Sequence, residues 1–524
     1  MSGDGNIVPL PESAGAAVRD KVRPLAELGE IAARERAAGR RVVLAHGTFD
    51  LLHIGHVRHL ESARRQGQVL MVTVTGDQYV NKGPGRPVFP EALRAEMLAA
   101  MQIVDWVAIS HNPSAEQVLD QVKPEIYAKG PDYRNADDDV TGKIAAEQAA
   151  VEQHGGRLVI TDDVTFSSSA LINRYMDHQD PEVRECLDGL RRRHEIPEIV
   201  DLLDRIADMK VAIVGDTIID EYNYVLPLGK SPKENMIATL QGGNEVFAGG
   251  VIAAANHVAG LCAEIKVVTL LGENDSHESL VSDSLKENCA LTVVHRPDVP
   301  STRKVRFIDP GYMRKLFEVY HMDDSPLVPP LQDEVDGRIE EAIAGADLVI
   351  AADFGHGLIG RSTVKLLTEK SKFLAVNTQT NSANTGFNLI TKYPRADYLC
   401  IDTPEARLAI GDKFADVKDI ATERLPEKID CPRIAVTWGK RGSVTSRRDQ
   451  ESFSTPAFAK SVVDTVGAGD AFFTVTAPLA AIDAPMDLLG FVGNLAGAIK
   501  VGIVGHRRSV DRVSLLKAVT AFLK

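Results

Sequence analysis

Short β-branched apolar runs alternate with helical stretches along nearly the whole chain, and this alternation restricts the fold more than any other feature. VVLAH (42–46) is followed by VLMVTVTG, DWVAIS, EIYAKG and RLVIT. The stretches between them have helical spacing, as in PLAELGEIAARERAAGRR, where Leu25, Leu28, Ile31 and Ala32 share a face. Strands separated by helices pair in parallel, so the expected structure is a parallel sheet covered by helices on both faces. The series stops at about 177–206, DHQDPEVRECLDGLRRRHEIPEIVDLLDRI, a highly charged stretch without a strand pattern. A second series opens with KVAIVGD and runs through KVVTLLGE, DLVIAAD, FLAVNT, YLCID and RIAVTWG. It closes in helices around GDAFFTVTAPLAA and LLGFVGNLAGAIKVG. Neither half repeats the other. The expected organisation is a polar leader over 1–24, one α/β domain over 25–176, a charged helical connector over 177–206 and a larger α/β domain over 207–524.

Bulk properties agree with this division. A chain of 524 residues is too long for one ordinary core, and 44% apolar content is enough to fill two or three. No run approaches the ~20 apolar residues that span a bilayer, and the start lacks the apolar core of a signal peptide, so a cytoplasmic protein is expected. Five scattered cysteines with no CxxC spacing argue against a disulfide framework or a structural zinc site. A net charge of −14 with no long Lys/Arg cluster disfavours nucleic acid or an acidic membrane as partner. Anionic substrates must therefore be held by local donors.

HGTFDLLHIGH (46–56) leaves a strand, turns through Gly47 and enters a helix near Ile54. His53 and His56 are three apart with Gly55 between them, so both rings can point the same way while the glycine admits a ligand close to the backbone. Helix N-terminal amides and imidazolium groups together would hold a triphosphate, which suits attack of a phosphate oxygen on an α-phosphorus with pyrophosphate leaving. On spacing alone, a histidine pair serves catalysis or a metal equally well. The longer stretch GTFDLLHIGHVRHLESARRQG resembles the HxGH nucleotidyltransferase superfamily in its cytidylyltransferase-like branch, notably the transferase domain of bifunctional heptose-phosphate kinase/heptose-1-phosphate adenylyltransferases. The resemblance covers about 25–175 and implies a Rossmann-like fold. It implies catalytic roles for His53, His56 and Lys82 of NKGPGRPVFP. It also implies nucleotide contacts from Gly47, Thr48, Phe49, Asp50, Gly55, Arg94, Lys129 and Asp132 of YAKGPDY, and Ser167, Ser168 and Ser169 of SSSALI.

In DTVGAGDAF (464–472), Gly467 and Gly469 flank Ala468 at the mouth of an apolar helix, where bare amides can approach an anion. Asp470 beside such a nest makes sense as a proton acceptor from a sugar hydroxyl attacking the γ-phosphate of ATP. Alone, GxGD is simply a helix start with an acidic first turn. The full stretch, however, resembles the second signature of the PfkB/ribokinase sugar kinases, and the likeness runs over about 208–524. It implies a ribokinase-like fold with a small β lid. Sugar contacts would come from Asp220 of VGDTIIDEY, the pair Gly249 and Gly250, and Arg306 of TRKVRFIDPGYMRKLFE. Thr437, Gly439, Gly442 and Asn494 would line the ATP cleft beside the anion hole at Gly467, Ala468 and Gly469. Asp402 and Glu405 of IDTPE would stand indirectly behind Mg2+. GKSPKENMIATL resembles the lid segment of the heptose kinases.

Three positions depart from that family. Ala253 stands where its first signature has Asn, although Asn256 matches a later one; His356 replaces the Lys of a DYxKG segment; and NTQ ending at Gln379 replaces DPK. Each removes a polar or cationic contact on the sugar-phosphate side, for which Arg306, Arg314 and Lys315 are candidate replacements. Domain order is also reversed relative to the bifunctional heptose enzymes, whose kinase comes first. The resemblances together imply a homo-oligomeric (dimeric) enzyme of nucleotide-sugar synthesis. It would use ATP and Mg2+ to phosphorylate a heptose 7-phosphate-like sugar at the anomeric oxygen, and ATP or CTP to place AMP or CMP on a sugar 1-phosphate. The competing expectation is a CTP-dependent cytidylyltransferase for another sugar or polyol phosphate, its kinase-like half serving as a sensing or assembly module.

Overall fold

The computed structural model describes residues 16–80, 86–112, 114–130, 144–161, 180–311 and 313–524. They divide into two compact units. The first holds the described residues up to 161 with 516–522 and 524, and the second holds 180–515 with 523. Among the described residues no helix is long and apolar enough to cross a membrane.

The first unit is a five-stranded parallel sheet of β1 (Val42–Gly47), β2 (Val69–Thr75), β3 (Trp106–Ser110), β4 (Ile126–Lys129) and β5 (Arg157–Ile160). Its order is β3-β2-β1-β4-β5. The strands read as unbroken apolar runs because both faces are buried: Val43, Ala45, Leu70 and Val72 fill one core, Val42, Leu44, Val69 and Met71 the other. On the second face lies the helix Leu25–Ala37, which buries Leu28, Ile31 and Ala32. Part of the leader is also structured, with Val22 bridging to Val107 and Lys21 donating to the carbonyls of Met101 and Val104. Strand order reverses between β1 and β4, and the crevice at the carboxyl ends of such strands is where open α/β sheets bind ligands.

The charged stretch forms two helices of the second unit, Pro181–Arg193 and Ile196–Arg205, both with proline in the first turn. The main sheet of this unit contains β6 (Lys210–Gly215), β9 (Glu264–Asn274), β10 (Cys289–Pro300), β13 (Leu348–Asp353), β14 (Leu374–Thr378), β15 (Tyr398–Asp402), β16 (Arg433–Thr437), β17 (Ser443–Arg447) and β18 (Phe453–Thr455). Their order is β10-β9-β6-β13-β14-β15-β16-β17-β18, antiparallel only at the last two pairings. A separate four-stranded sheet, β12-β11-β7-β8, is made from β7 (Thr217–Lys230), β8 (Ile237–Gly250), β11 (Arg303–Asp309) and β12 (Arg314–His321). This is the small lid. The helices Ala468–Ala481 and Met486–Lys500 are apolar almost all round and correspondingly buried.

The junction from β8 into the helix Val251–Val258 depends on two glycines. Gly250 has φ +59° and ψ −131°, and a Cβ there would lie 2.4 Å from the Asp216 carbonyl oxygen. At Gly249 a Cβ would lie 2.1 Å from an Asp220 carboxylate oxygen, so the glycine makes room for that carboxylate. Gly250→Ala is expected to destabilise the second unit by roughly 3 kcal/mol, lowering its unfolding temperature by about 5–10 °C in calorimetry. Gly243→Ala, in open space on the same strand, is the control and should shift it little.

Candidate active sites

At the switch point of the first unit, β1 ends at Gly47 and the chain bends through Phe49, a buried residue held in the left-handed region at φ +48°. Asp50 and Arg94 hold this bend. The buried Asp50 carboxylate accepts from Arg86 and from the backbone N–H groups of Val88 and Phe89. Arg94, wholly buried, donates to the carbonyls of Thr48, Thr75 and Phe89 and to Asp77. Both are thus committed to holding the backbone around the bend.

The histidines lie together. His53 caps the helix Ile54–Arg64, its Nδ1 accepting from the Gly55 N–H at 3.1 Å, and His56 Nδ1 accepts from the His53 N–H at 3.3 Å. The ring centroids are 4.0 Å apart, with the Phe49 ring 5.5 Å from His56. An Nδ1 that accepts a hydrogen bond places the proton of a neutral ring on Nε2. The two rings are thus held in fixed orientations at the start of the helix.

At the end of β4, Lys129 pairs with Glu147 at 2.7 Å, and Tyr127 also donates to Glu147. Burial, reinforced by the charge of Lys129, pushes His46 down to about 3, so it stays neutral against Thr73. Lys82, Asp132, Ser167, Ser168 and Ser169 lie outside the described residues.

In the second unit Gly467, at φ +77°, opens the helix Ala468–Ala481 and places Ala468, Gly469 and Asp470 in its first turn. Burial pushes the Asp470 carboxyl above its ordinary range, while the charge of His506, a hydrogen bond from the Gln379 amide and the charge of Lys500 oppose the rise. A carboxylate so raised accepts a proton more readily. The turn before it is anchored by Asp464, which receives Tyr222 Oη at 2.6 Å, Lys315 Nζ at 2.9 Å and the amides of Gly505 and Val466. Despite burial, those bonds from Tyr222 and Lys315 bring Asp464 down to about 2. Lys315 is thus paired with Asp464.

Asp220 is buried between Arg306 and His506, whose Nε2 is 3.1 Å from its carboxylate. Burial alone would raise it, but the Arg306 guanidinium and His506 hold it well below the usual carboxylate range. Arg306 also reaches Glu318 at 3.2 Å. Asp220 is thus an ionised acceptor held between the Arg306 guanidinium and the His506 ring.

The three departures fall differently. Gln379 donates to Asp470, so it is a contact on the proposed base rather than a missing one. Ala253 is buried in its helix, and Asn256 bonds the backbone of Ser284 and Lys286, a structural task. His356 is buried with both ring nitrogens lacking a partner among the described residues, and burial pushes it down to about 3. It lines a small polar cavity of about 20 Å³ with Asp216, Thr217, Arg296, Thr302 and Asp323. Asp216, raised to about 6 chiefly by burial, accepts from the His356 and Leu358 amides.

Thr437 ends β16, Gly439 starts the turn Gly439–Arg441, and Gly442 at φ +95° follows it. Asn494 donates to Ser443 Oγ at 2.7 Å and to the Gly490 carbonyl at 2.8 Å. Asp402 and Glu405 form a capping box on the helix Thr403–Ile410. Burial raises both, Glu405 to about 8. Among the described residues no group of three or more His, Cys, Asp or Glu side chains could hold a metal.

Sequence reasoning missed His506, Lys500 and the role of Gln379. None has a local signal: Lys500 reads as the last residue of an apolar helix, His506 as part of a basic loop, and both reach the nest only in the folded chain.

Residues 44–174 match the cytidylyltransferase-like family and residues 208–512 the pfkB family carbohydrate kinases. The Bifunctional protein HldE of Alcanivorax borkumensis is 38% identical over 142 residues, 26% of this chain and 28% of that one. Its counterpart from Trichlorobacter lovleyi is 37% identical over 166 residues, 30% of this chain and 32% of that one. The chain thus spans about three-tenths of the length of these relatives. The ribokinase of Thermotoga maritima covers 60% of this chain and 99% of its own, at 18% identity and a TM-score of 0.46.

Removing the amide that opposes the rise of Asp470 should raise this carboxyl further. A base must be deprotonated to act, so activity is lost as pH falls through its pKa. Gln379→Leu is expected to move the acidic limb of the kcat/KM–pH profile for ATP-dependent phosphorylation upward by roughly one pH unit. An unmoved limb would contradict the assignment.

Proposed function

The chain belongs to the pfkB family of carbohydrate kinases, and on that premise we propose a bifunctional enzyme of nucleotide-sugar synthesis whose N-terminal half is the nucleotidyltransferase. The second site would transfer the γ-phosphoryl group of ATP to the anomeric oxygen of a heptose 7-phosphate-like sugar. The first would join AMP or CMP to a sugar 1-phosphate and release pyrophosphate. The observation that carries this reading is Asp470: a buried carboxyl with a raised proton affinity stands in the first turn of the helix whose glycine nest would receive the phosphates.

In the kinase step the sugar binds against ionised Asp220, with Arg306 and His506 behind that carboxylate. Asp470, oriented by Gln379, takes the proton of the attacking hydroxyl as the O–P bond forms, and ADP leaves. The amides at Gly467, Ala468 and Gly469 meet the charge on the transferring group. Asp402 and Glu405 would stand behind the Mg2+ of the nucleotide, whose chemistry there would be to neutralise phosphate charge.

In the transferase step a sugar 1-phosphate oxygen attacks the α-phosphorus, and the oriented rings of His53 and His56 donate to phosphate oxygens. Lys82, Lys129, Asp132 and Ser167–Ser169 are proposed to complete the nucleotide contacts. The HldE proteins, named bifunctional, support the pairing of activities.

Two separable losses test this. Asp470→Asn is expected to reduce sugar-phosphate-dependent ADP formation by at least about 10³-fold while sugar 1-phosphate-dependent pyrophosphate release stays within about twofold; His56→Asn should do the reverse. Pyrophosphate release across the four nucleoside triphosphates, with 31P NMR of the sugar product, identifies donor and acceptor. A wild-type chain that turns over no ATP with any sugar phosphate, and whose transferase is specific for CTP, would favour the sensing-module alternative.

A further inference from the structure

Lys500 ends the helix Met486–Lys500 and is wholly buried. Its ammonium donates to the carbonyls of Val466 at 2.7 Å and Gly505 at 2.8 Å, the residues preceding Gly467 and His506. A Cβ built on Gly467 would meet Lys500 Cε at 3.2 Å and Nζ at 3.6 Å, so the ammonium packs directly against the glycine turn. It feels the charges of Asp464, Asp470 and Asp220, yet its hydrogen bonds end on the backbone carbonyls of Val466 and Gly505. A lysine almost never lies fully buried without compensation. An apolar side chain would fill the same space without the burial penalty, so the charge has its own use.

We propose that Lys500 is a positioning residue for phosphoryl transfer: a tethered cation that holds the Val466–Gly469 turn in its anion-binding form and places fixed positive charge behind it, where the γ-phosphoryl oxygens of ATP are received. Preorganised charge of this kind acts most strongly on the group whose charge grows during transfer. It should therefore favour ligands carrying a γ-phosphate over those that end at the β-phosphate. This inference rests on the kinase reading of the second site.

The test compares ADP with AMP-PNP binding to the full-length chain by titration calorimetry in the presence of Mg2+, alongside ATP turnover. Lys500→Met removes the charge at similar volume. Lys500→Gln keeps amide donors for the two carbonyls, and so remains informative should the Met variant fail to fold. The wild type is expected to bind AMP-PNP more tightly than ADP. In either folded variant ADP affinity should stay within about twofold, AMP-PNP affinity should fall about tenfold, and kcat should fall roughly 10²-fold. A folded variant that keeps the wild-type preference for AMP-PNP, or weakens both ligands equally, overturns the proposal and leaves the kinase reading standing. A wild-type chain that shows no preference and no phosphoryl transfer overturns both.

Discussion

Asp464 receives Tyr222 and Lys315 from the lid sheet and Gly505 from the far side of the last long helix, tying three separate segments to the turn before Ala468. With Lys500 drawing in the Val466 and Gly505 carbonyls, this web of compensated charge makes the glycine nest a fixed feature rather than one conformation of a loop. The lid enters the same web. Arg306 on β11 and His506 converge on Asp220, so the sugar-side carboxylate, the lid and the nest share one electrostatic neighbourhood. Breaking one partner of such a buried set leaves the others uncompensated, which is why these contacts constrain one another.

The first unit uses the same physics with different residues. Arg94 ties the Thr48 carbonyl, just before the loop that carries His53 and His56, to the end of β2 at Thr75, and Asp50 in that loop accepts from the amides of Val88 and Phe89. The two histidines reciprocate as a capping box, so the requirement to satisfy the first amides of a helix also orients two ring N–H groups. Both units place their sites at the carboxyl ends of parallel strands near a reversal of strand order, where the architecture itself leaves a crevice.

Much of this was legible along the chain because it is local. Helical and strand periodicity, the glycines of DTVGAGDAF and the spacing of His53 and His56 all act over a few residues. Much of what was not legible depends on partners distant along the chain. Gln379 read as a lost cation because its place in the family pattern belongs to a DPK segment; folded, it donates to Asp470 across 91 positions. Lys315 read as spare charge and is bound to Asp464. Arg94, a nucleotide contact only by family resemblance, is wholly buried among the backbone carbonyls of Thr48, Thr75 and Phe89.

The sequence by itself determined two α/β units, the helix that opens behind His53 in one and behind the glycines of DTVGAGDAF in the other, and the distinct chemistry that a histidine pair and a nest-side aspartate can perform. These follow from side-chain periodicity and from backbone freedom at glycine, which need no distant information. Only the tertiary structure decided which charged residues face the reacting groups and which are occupied in holding them. That choice is made by burial and by long-range hydrogen bonding, and Asp470, Gln379, His506 and Lys500 meet only when the chain closes around them.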